Sequence, residues 1–200
     1  MLNLFDKEPI FLNLPDAEFI YYPNFFSKEK ADLFLETLTK EIAWQQDDII
    51  IFGKKIAQPR LTALYGNDGK SYGYSNIVMQ PHPFNSALTF IKEEIESIIN
   101  EHFTTVLLNY YRNERDSNGW HADNEKELGR DPVIASVSFG EARIFQIKHN
   151  TKKEYKQSLL LEHGSLLVMK NGAQVHYKHQ IPKATQPKNP RINLTFRKIL

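Results

Sequence analysis

The chain contains no cysteine. That absence excludes a disulfide framework, a thiolate zinc site and a cysteine nucleophile together. Any bound metal has to sit on His, Asp or Glu, ligands that suit imidazole- and carboxylate-binding cations. Long apolar runs are also missing: the longest, such as 49–52 and 159–161, fall far short of the roughly 20 residues that span a bilayer. Neither sign of charge dominates. The 25 Lys and Arg against 24 Asp and Glu leave a net charge of +1, which argues against a polycation but leaves room for a local basic face. No period of 20–50 residues repeats and no low-complexity linker divides the chain, so a solenoid or propeller is not expected. Met1-Leu2-Asn3-Leu4, soon followed by Asp6, Lys7 and Glu8, does not read as a signal peptide. The expectation is one intracellular domain over residues 1–200, cytoplasmic in a bacterium or nuclear in a eukaryote. A chain of this length is enough for a full core.

Two segments carry helical periodicity. In 27–42, Ser27 stands where a cap belongs, and Ala31, Phe34, Leu35, Leu38 and Ile42 share a face. In 85–100, preceded by Pro83, Leu88, Ile91, Ile95, Ile98 and Ile99 recur at the same spacing. After Glu101 the pattern changes to short runs rich in β-branched and aromatic residues at 104–112, 133–139, 142–149, 157–162, 165–171 and 191–197. Segments 48–52 and 71–79 also look extended. Gly140-Glu141 and His163-Gly164 are tight connections that predict antiparallel neighbours. Two helices followed by many antiparallel strands imply an α+β protein. Its core would be a jelly-roll (double-stranded β-helix) at 101–200, covered by N-terminal helices and a lid at 1–100.

His121-Ala122-Asp123 places an imidazole and a carboxylate two residues apart, on one face of an extended segment. Both can reach a single cation. Alone, H-x-D is better explained by a surface turn. A second histidine, with His163, His176 and His179 as candidates, would complete the two-His, one-carboxylate face of non-heme iron(II) oxygenases, which leaves coordination positions open. Residues 191–197 alternate strictly. Ile192, Leu194 and Phe196 share one face; Arg191, Asn193, Thr195 and Arg197 share the other. A charged strand face often meets only solvent. Two arginines about 20 Å apart along a strand, at ~3.3 Å per residue, could instead lean in on a small diacid, because guanidinium grips carboxylate with a bidentate fork.

Taken together, His121-x-Asp123, His179, Arg191 twelve positions on and Arg197 six further resemble the H-x-D…H…R-x-x-x-x-x-R signature of the AlkB-type dioxygenases. The C-terminal run from Pro190 to Leu200 looks like the branch that repairs double-stranded DNA. So do Pro59-Arg60, Tyr65-Gly66, the run from Ala135 to Gly140, and His163-Gly164-Ser165-Leu166-Leu167. The likeness runs from about Phe52 to the C-terminus. It implies that His121, Asp123 and His179 hold iron(II), and that His179 is chosen because Ile181-Pro182 follows it. It implies that Arg191 meets the distal carboxylate of 2-oxoglutarate and Arg197 its metal-proximal end. Asn109 and Tyr111, an N-x-Y pair on an expected strand, and Asn193 and Thr195, on the arginine face, are placed with the cosubstrate.

The resemblance implies oxidative demethylation of N-alkylated bases, of the N1-methyladenine and N3-methylcytosine type, using O2 and releasing formaldehyde, succinate and CO2. On the base side it assigns Phe52 as a wedge, Tyr72, Tyr74 and Ser75 as a lid, and Arg60 and Glu125 as pocket residues. A base has to be flipped from a duplex to be reached, and blocked pairing makes an N1- or N3-methylated base cheaper to extrude. Lys148, Lys152, Lys153, Lys156, Lys178 and Lys183 are candidates for phosphate contact. Asn124 and the segment from Gln180 to Thr185 depart from the duplex branch, the first by lacking an acid and the second a basic cluster. The expected partner is DNA, handled by a monomer without a membrane. The alternatives are an RNA demethylase or another 2-oxoglutarate-dependent hydroxylase of this fold, and a non-catalytic nucleic-acid-binding jelly roll. Asp123→Ala is expected to abolish turnover and leave the fold intact.

Overall fold

The computed structural model describes residues 8–51, 54–67, 69, 72–74 and 77–200. In chain order its elements are β1 (Ile10–Phe11), β2 (Glu18–Tyr22), α1 (Lys28–Glu41), β3 (Asp48–Ile51), β4 (Lys54–Ala57), β5 (Leu61–Gly66), β6 (Tyr72–Tyr74), β7 (Ile77–Met79) and α2 (Ser86–Ile99). There follow β8 (Thr105–Tyr111), β9 (Asn118–His121), β10 (Ile134–Gly140), β11 (Arg143–His149), β12 (Lys156–Leu161), β13 (Ser165–Lys170), α3 (Ala173–His176), β14 (Tyr177–Ile181) and β15 (Arg191–Arg197). The helices start where their caps dictate: Ser27 Oγ accepts from Lys30 N, and Asn85 Oδ1 accepts from Leu88 N at 2.9 Å. The second ends on Asn100 in the left-handed region.

Two antiparallel sheets face each other. The larger runs β1-β2-β13-β10-β15-β8-β5 and the smaller β12-β11-β14-β9. This is the expected jelly-roll sandwich. Three strands of the larger sheet come from the first hundred residues. Phe34 and Leu38 of α1 and Leu88, Ile91 and Ile95 of α2 pack on one face of the larger sheet, against Val137, Phe139, Ile192, Leu194 and Phe196. Its other face meets the smaller sheet through Phe19, Leu107, Phe145, Ile147, Leu167 and Tyr177. Strand β15 lies between β10 and β8, and all seven of its residues are buried. Its polar face therefore cannot be a solvent face.

Two sequence expectations need correcting. Gly140-Glu141 and His163-Gly164 do not join paired strands. Each carries the chain from one sheet to the other, β10 to β11 and β12 to β13. Tight, chirally restricted turns look alike in sequence whether they fold a hairpin or round a corner. Gly140 and Gly164 have positive φ (92° and 74°). A side chain at Gly140 would collide with the Pro190 carbonyl, and one at Gly164 would stand 2.8 Å from the Phe26 carbonyl oxygen. The second correction concerns 71–79, which is not one extended run. It folds back as β6 paired with β7, with Tyr74 opposite Ile77.

Candidate active site

His121 closes β9 and His179 lies directly opposite it on β14. Antiparallel partners bring side chains of one face together, and the two rings meet at 4.3 Å between centroids. Asp123, two residues past His121, turns in beside them. One ligand atom from each of the three lies within 4.8 Å of the others. His121 Nδ1 is 2.7 Å from the Gly119 carbonyl oxygen. A carbonyl only accepts, so Nδ1 carries the proton and Nε2 keeps its lone pair for a cation. His179 stacks on Phe145 at 5.1 Å. The Asp123 backbone N–H donates to Gln174 Oε1 at 2.8 Å, and the Gln174 amide nitrogen rests on Met169 Sδ at 3.6 Å.

Burial pushes the His179 imidazole down to about 3, helped by its neighbour His121, which burial also lowers. For Asp123, burial acts to raise the carboxyl. The Arg197 guanidinium and both imidazoles outweigh it and hold it at about 2. The cluster is thus two neutral imidazoles and one carboxylate at neutral pH, the protonation states that a metal requires. Arg197 Nη2 donates to Asp123 Oδ1 at 2.5 Å.

Arg191, Asn193, Thr195 and Arg197 all point into the same cavity, together with Asn109 and Tyr111 of β8 and an apolar wall that includes Leu107, Leu161 and Ile181. Asn193 is fixed by bonds to Ser136 Oγ (2.8 Å) and the Val137 carbonyl (3.0 Å). Arg191 is 1% exposed. Its Nη2 donates to Ser138 Oγ at 2.8 Å and its guanidinium stands 5.2 Å from the Tyr111 ring centroid. Among the described residues its Nε and Nη1 have no hydrogen-bond partner and no carboxylate pairs with it. Burial lowers its pKa to about 10, still charged at neutral pH. A buried cation with unused donors calls for an anion.

Arg60 is buried beneath this layer; its Nε donates to Asn109 Oδ1 at 2.6 Å and its Nη1 to the Ser117 carbonyl. Glu125 is half-buried just before a short 3-10 turn. Phe52 and Ser75 lie outside the described residues, and of Tyr72 and Tyr74 only the backbone of β6 is described. The other histidine candidates stand elsewhere. His163 Nδ1 accepts from Gly140 N at the sheet-crossing corner, and His176 is exposed beside His149. Sequence reasoning missed Gln174, Ser136 and Ser138. The serines alternate with apolar residues along β10, a readable signal. Gln174 left none, because its role depends on a contact across 51 positions.

Residues 18–197 match the family model of the 2OG-Fe(II) oxygenase superfamily. Human "Alpha-ketoglutarate-dependent dioxygenase alkB homolog 3" is 39% identical over 187 residues, 89% of this chain and 65% of that protein. Human "DNA oxidative demethylase ALKBH2" is 35% identical over 189 residues, 90% of this chain and 72% of that protein. The chain belongs to the 2OG-Fe(II) oxygenase superfamily, and within it to the AlkB type. The solved structure of OsALKBH1 superposes with a TM-score of 0.68 over 96% of this chain and 100% of that one, at 14% identity, which supports the fold.

The AlkB-type cofactor and cosubstrates, iron(II), 2-oxoglutarate and O2, suit the donors present. A two-His, one-carboxylate set matches iron(II), and the unmatched Arg191 guanidinium matches a carboxylate. Buried His179 also sets an acid limit on the metal-free protein. The folded pKa of His179 lies below its ordinary 6.5, so below pH 6.5 the unfolded chain binds the extra proton. This contribution to stability is complete above pH 6.5 and is lost progressively toward about pH 3. Unfolding free energies from denaturant melts at pH 7, 5 and 4 are expected to fall in that order, by up to about 1.4 kcal/mol per pH unit for this group. A flat profile would show that the ring is not buried in its neutral form.

Proposed function

We propose that this protein removes alkyl groups oxidatively from N-alkylated bases, of the N1-methyladenine and N3-methylcytosine type, in DNA. The observation that carries this reading is the 35% identity to a relative named a DNA oxidative demethylase, extending over 90% of the chain. The cavity supports it, with three metal-type donors and, within the same lining, the buried Arg191 guanidinium, which has no carboxylate partner among the described residues. Iron(II) with 2-oxoglutarate and O2 supplies the oxidation, in which the cosubstrate becomes succinate and CO2 and an oxygen atom enters an alkyl C–H bond. The hydroxylated alkyl group then leaves the base nitrogen as aldehyde.

In this reading His121, Asp123 and His179 hold the metal. Gln174 fixes the Asp123 backbone, and Arg197 orients the Asp123 carboxylate and anchors the metal-proximal end of 2-oxoglutarate. Arg191, steadied by Ser138, takes the distal carboxylate of 2-oxoglutarate, with Tyr111, Asn109, Asn193 and Thr195 lining its bed. Arg60 acts by holding the Asn109 amide. The apolar wall excludes water from the oxidation. Phe52, Tyr72, Tyr74, Ser75 and Glu125 belong to base recognition.

The test is turnover with iron(II) and 2-oxoglutarate on N1-methyladenine in single-stranded DNA, duplex DNA and RNA. Formaldehyde and succinate should appear together from DNA. Greater yield from RNA would move the substrate class. No formaldehyde from any of the three would leave a non-nucleic substrate or a non-catalytic binder.

A further inference from the structure

The outer face of the smaller sheet carries a feature that catalysis does not use. Lys156 of β12 is directly opposite Lys148 of β11, which is directly opposite Lys178 of β14. Three ammonium groups thus form a row across three neighbouring strands, which lie about 4.8 Å apart. All three are exposed, and among the described residues none has an ion pair. Like charges directly opposite one another cost a sheet stability, so strand pairing does not account for the row. Beside it, Trp120 on the edge strand β9 is 38% exposed, and Lys148 Nζ lies 4.1 Å from its ring centroid. A shallow cleft of about 410 Å³ runs between Trp120, Gln146, Lys148, Lys156 and Ser158. Successive strand residues point to opposite faces. Lys178 and Trp120 therefore stand back to back with His179 and His121, which face the cavity.

We infer that this face is a track for the backbone of single-stranded DNA. Its lysines neutralise phosphates, and Trp120 stacks a base at the edge that carries His121. Repelling cations in a row match a repeating polyanion. An exposed aromatic ring beside them matches unpaired bases, which present a π-face that duplex DNA hides. The choice of DNA among polyanions rests on the proposed function.

The test uses the full chain and an unmodified, labelled oligo(dT). Binding is followed by anisotropy over a salt series, which requires no turnover. For single strands the slope of log affinity against log salt is about 0.7 per phosphate neutralised. The triple variant K148Q/K156Q/K178Q is expected to lower the slope by about 2 and to weaken binding at least tenfold at low salt. Lys178→Gln alone should lower it by about 0.7. Neither should lower the melting temperature. In a Trp44→Phe background, oligo(dT) should quench the remaining Trp120 emission. An unchanged slope in the triple variant overturns the track. So does equal quenching by polyglutamate, or tighter binding of duplex or of oligo(rU) through the same lysines. If no methylated base is turned over but the slope still falls, the proposed reaction fails while the track stands.

Discussion

Asp123→Ala should reduce iron-dependent formation of succinate by at least about 10³-fold, some 4 kcal/mol of lost barrier reduction. The carboxylate is the only anion of the three-residue cluster. The same substitution should also destabilise the metal-free protein, which the sequence gives no reason to expect. Asp123 and Arg197 are both buried and joined at 2.5 Å. Removing one partner of a buried ion pair typically costs about 3–5 kcal/mol, because the other charge stays in a poorly solvating interior. The two effects separate in a second variant. Asp123→Ala combined with Arg197→Met leaves no charge of this pair buried, so denaturant melts should recover most of the lost stability while turnover remains absent. Wild-type turnover in Asp123→Ala would remove this residue from the site. Unchanged stability would mean that the Asp123–Arg197 pair contributes nothing to the fold.

Arg191→Met should weaken cosubstrate binding while it stabilises the cosubstrate-free fold. The KM for 2-oxoglutarate is expected to rise by about 10²-fold or more, since truncating one partner of a buried, hydrogen-bonded charge pair costs about 2–5 kcal/mol. Without cosubstrate, the variant should be the more stable protein. The wild-type guanidinium is buried with Nε and Nη1 lacking hydrogen-bond partners, and an unbranched apolar side chain of similar reach has no such charge to desolvate. Against this stand one bond to Ser138 and the contact with the Tyr111 ring, each worth about 1 kcal/mol. The burial of an uncompensated charge is the larger effect. A gain of about 1 kcal/mol corresponds to a melting temperature higher by about 2–4 °C. Saturating 2-oxoglutarate should stabilise wild type by roughly 2.7 kcal/mol at a hundredfold excess over Kd and the variant hardly at all. Equal stabilisation of both proteins would place the cosubstrate carboxylate elsewhere.

Much of this site was legible before any coordinates. The period-2 pattern of 191–197 separated an apolar face from an Arg, Asn, Thr and Arg face, and the structure shows those faces against the helical core and the cavity respectively. The helices at 27–42 and 85–100 lie within a residue of their caps, because capping and amphipathic spacing are local properties. The strands at 18–22, 61–66 and 177–181 were not legible. They are short, and their character comes from the neighbours they pair with.

Composition excluded thiolate chemistry, and local spacing placed an imidazole and a carboxylate on one face at 121–123; those conclusions need only the order of the residues. Which histidine joins them was left open among three by the residues themselves. The pairing of β14 with β9 brings His179 opposite His121 and sends His163 to a corner and His176 to the surface. The salt link from Asp123 to Arg197 spans 74 positions, and the lack of a carboxylate partner for Arg191 among the described residues depends on everything packed around it. Burial, and with it the protonation state of each group, arises only when distant segments close over one another and exclude water. No window of sequence contains that information.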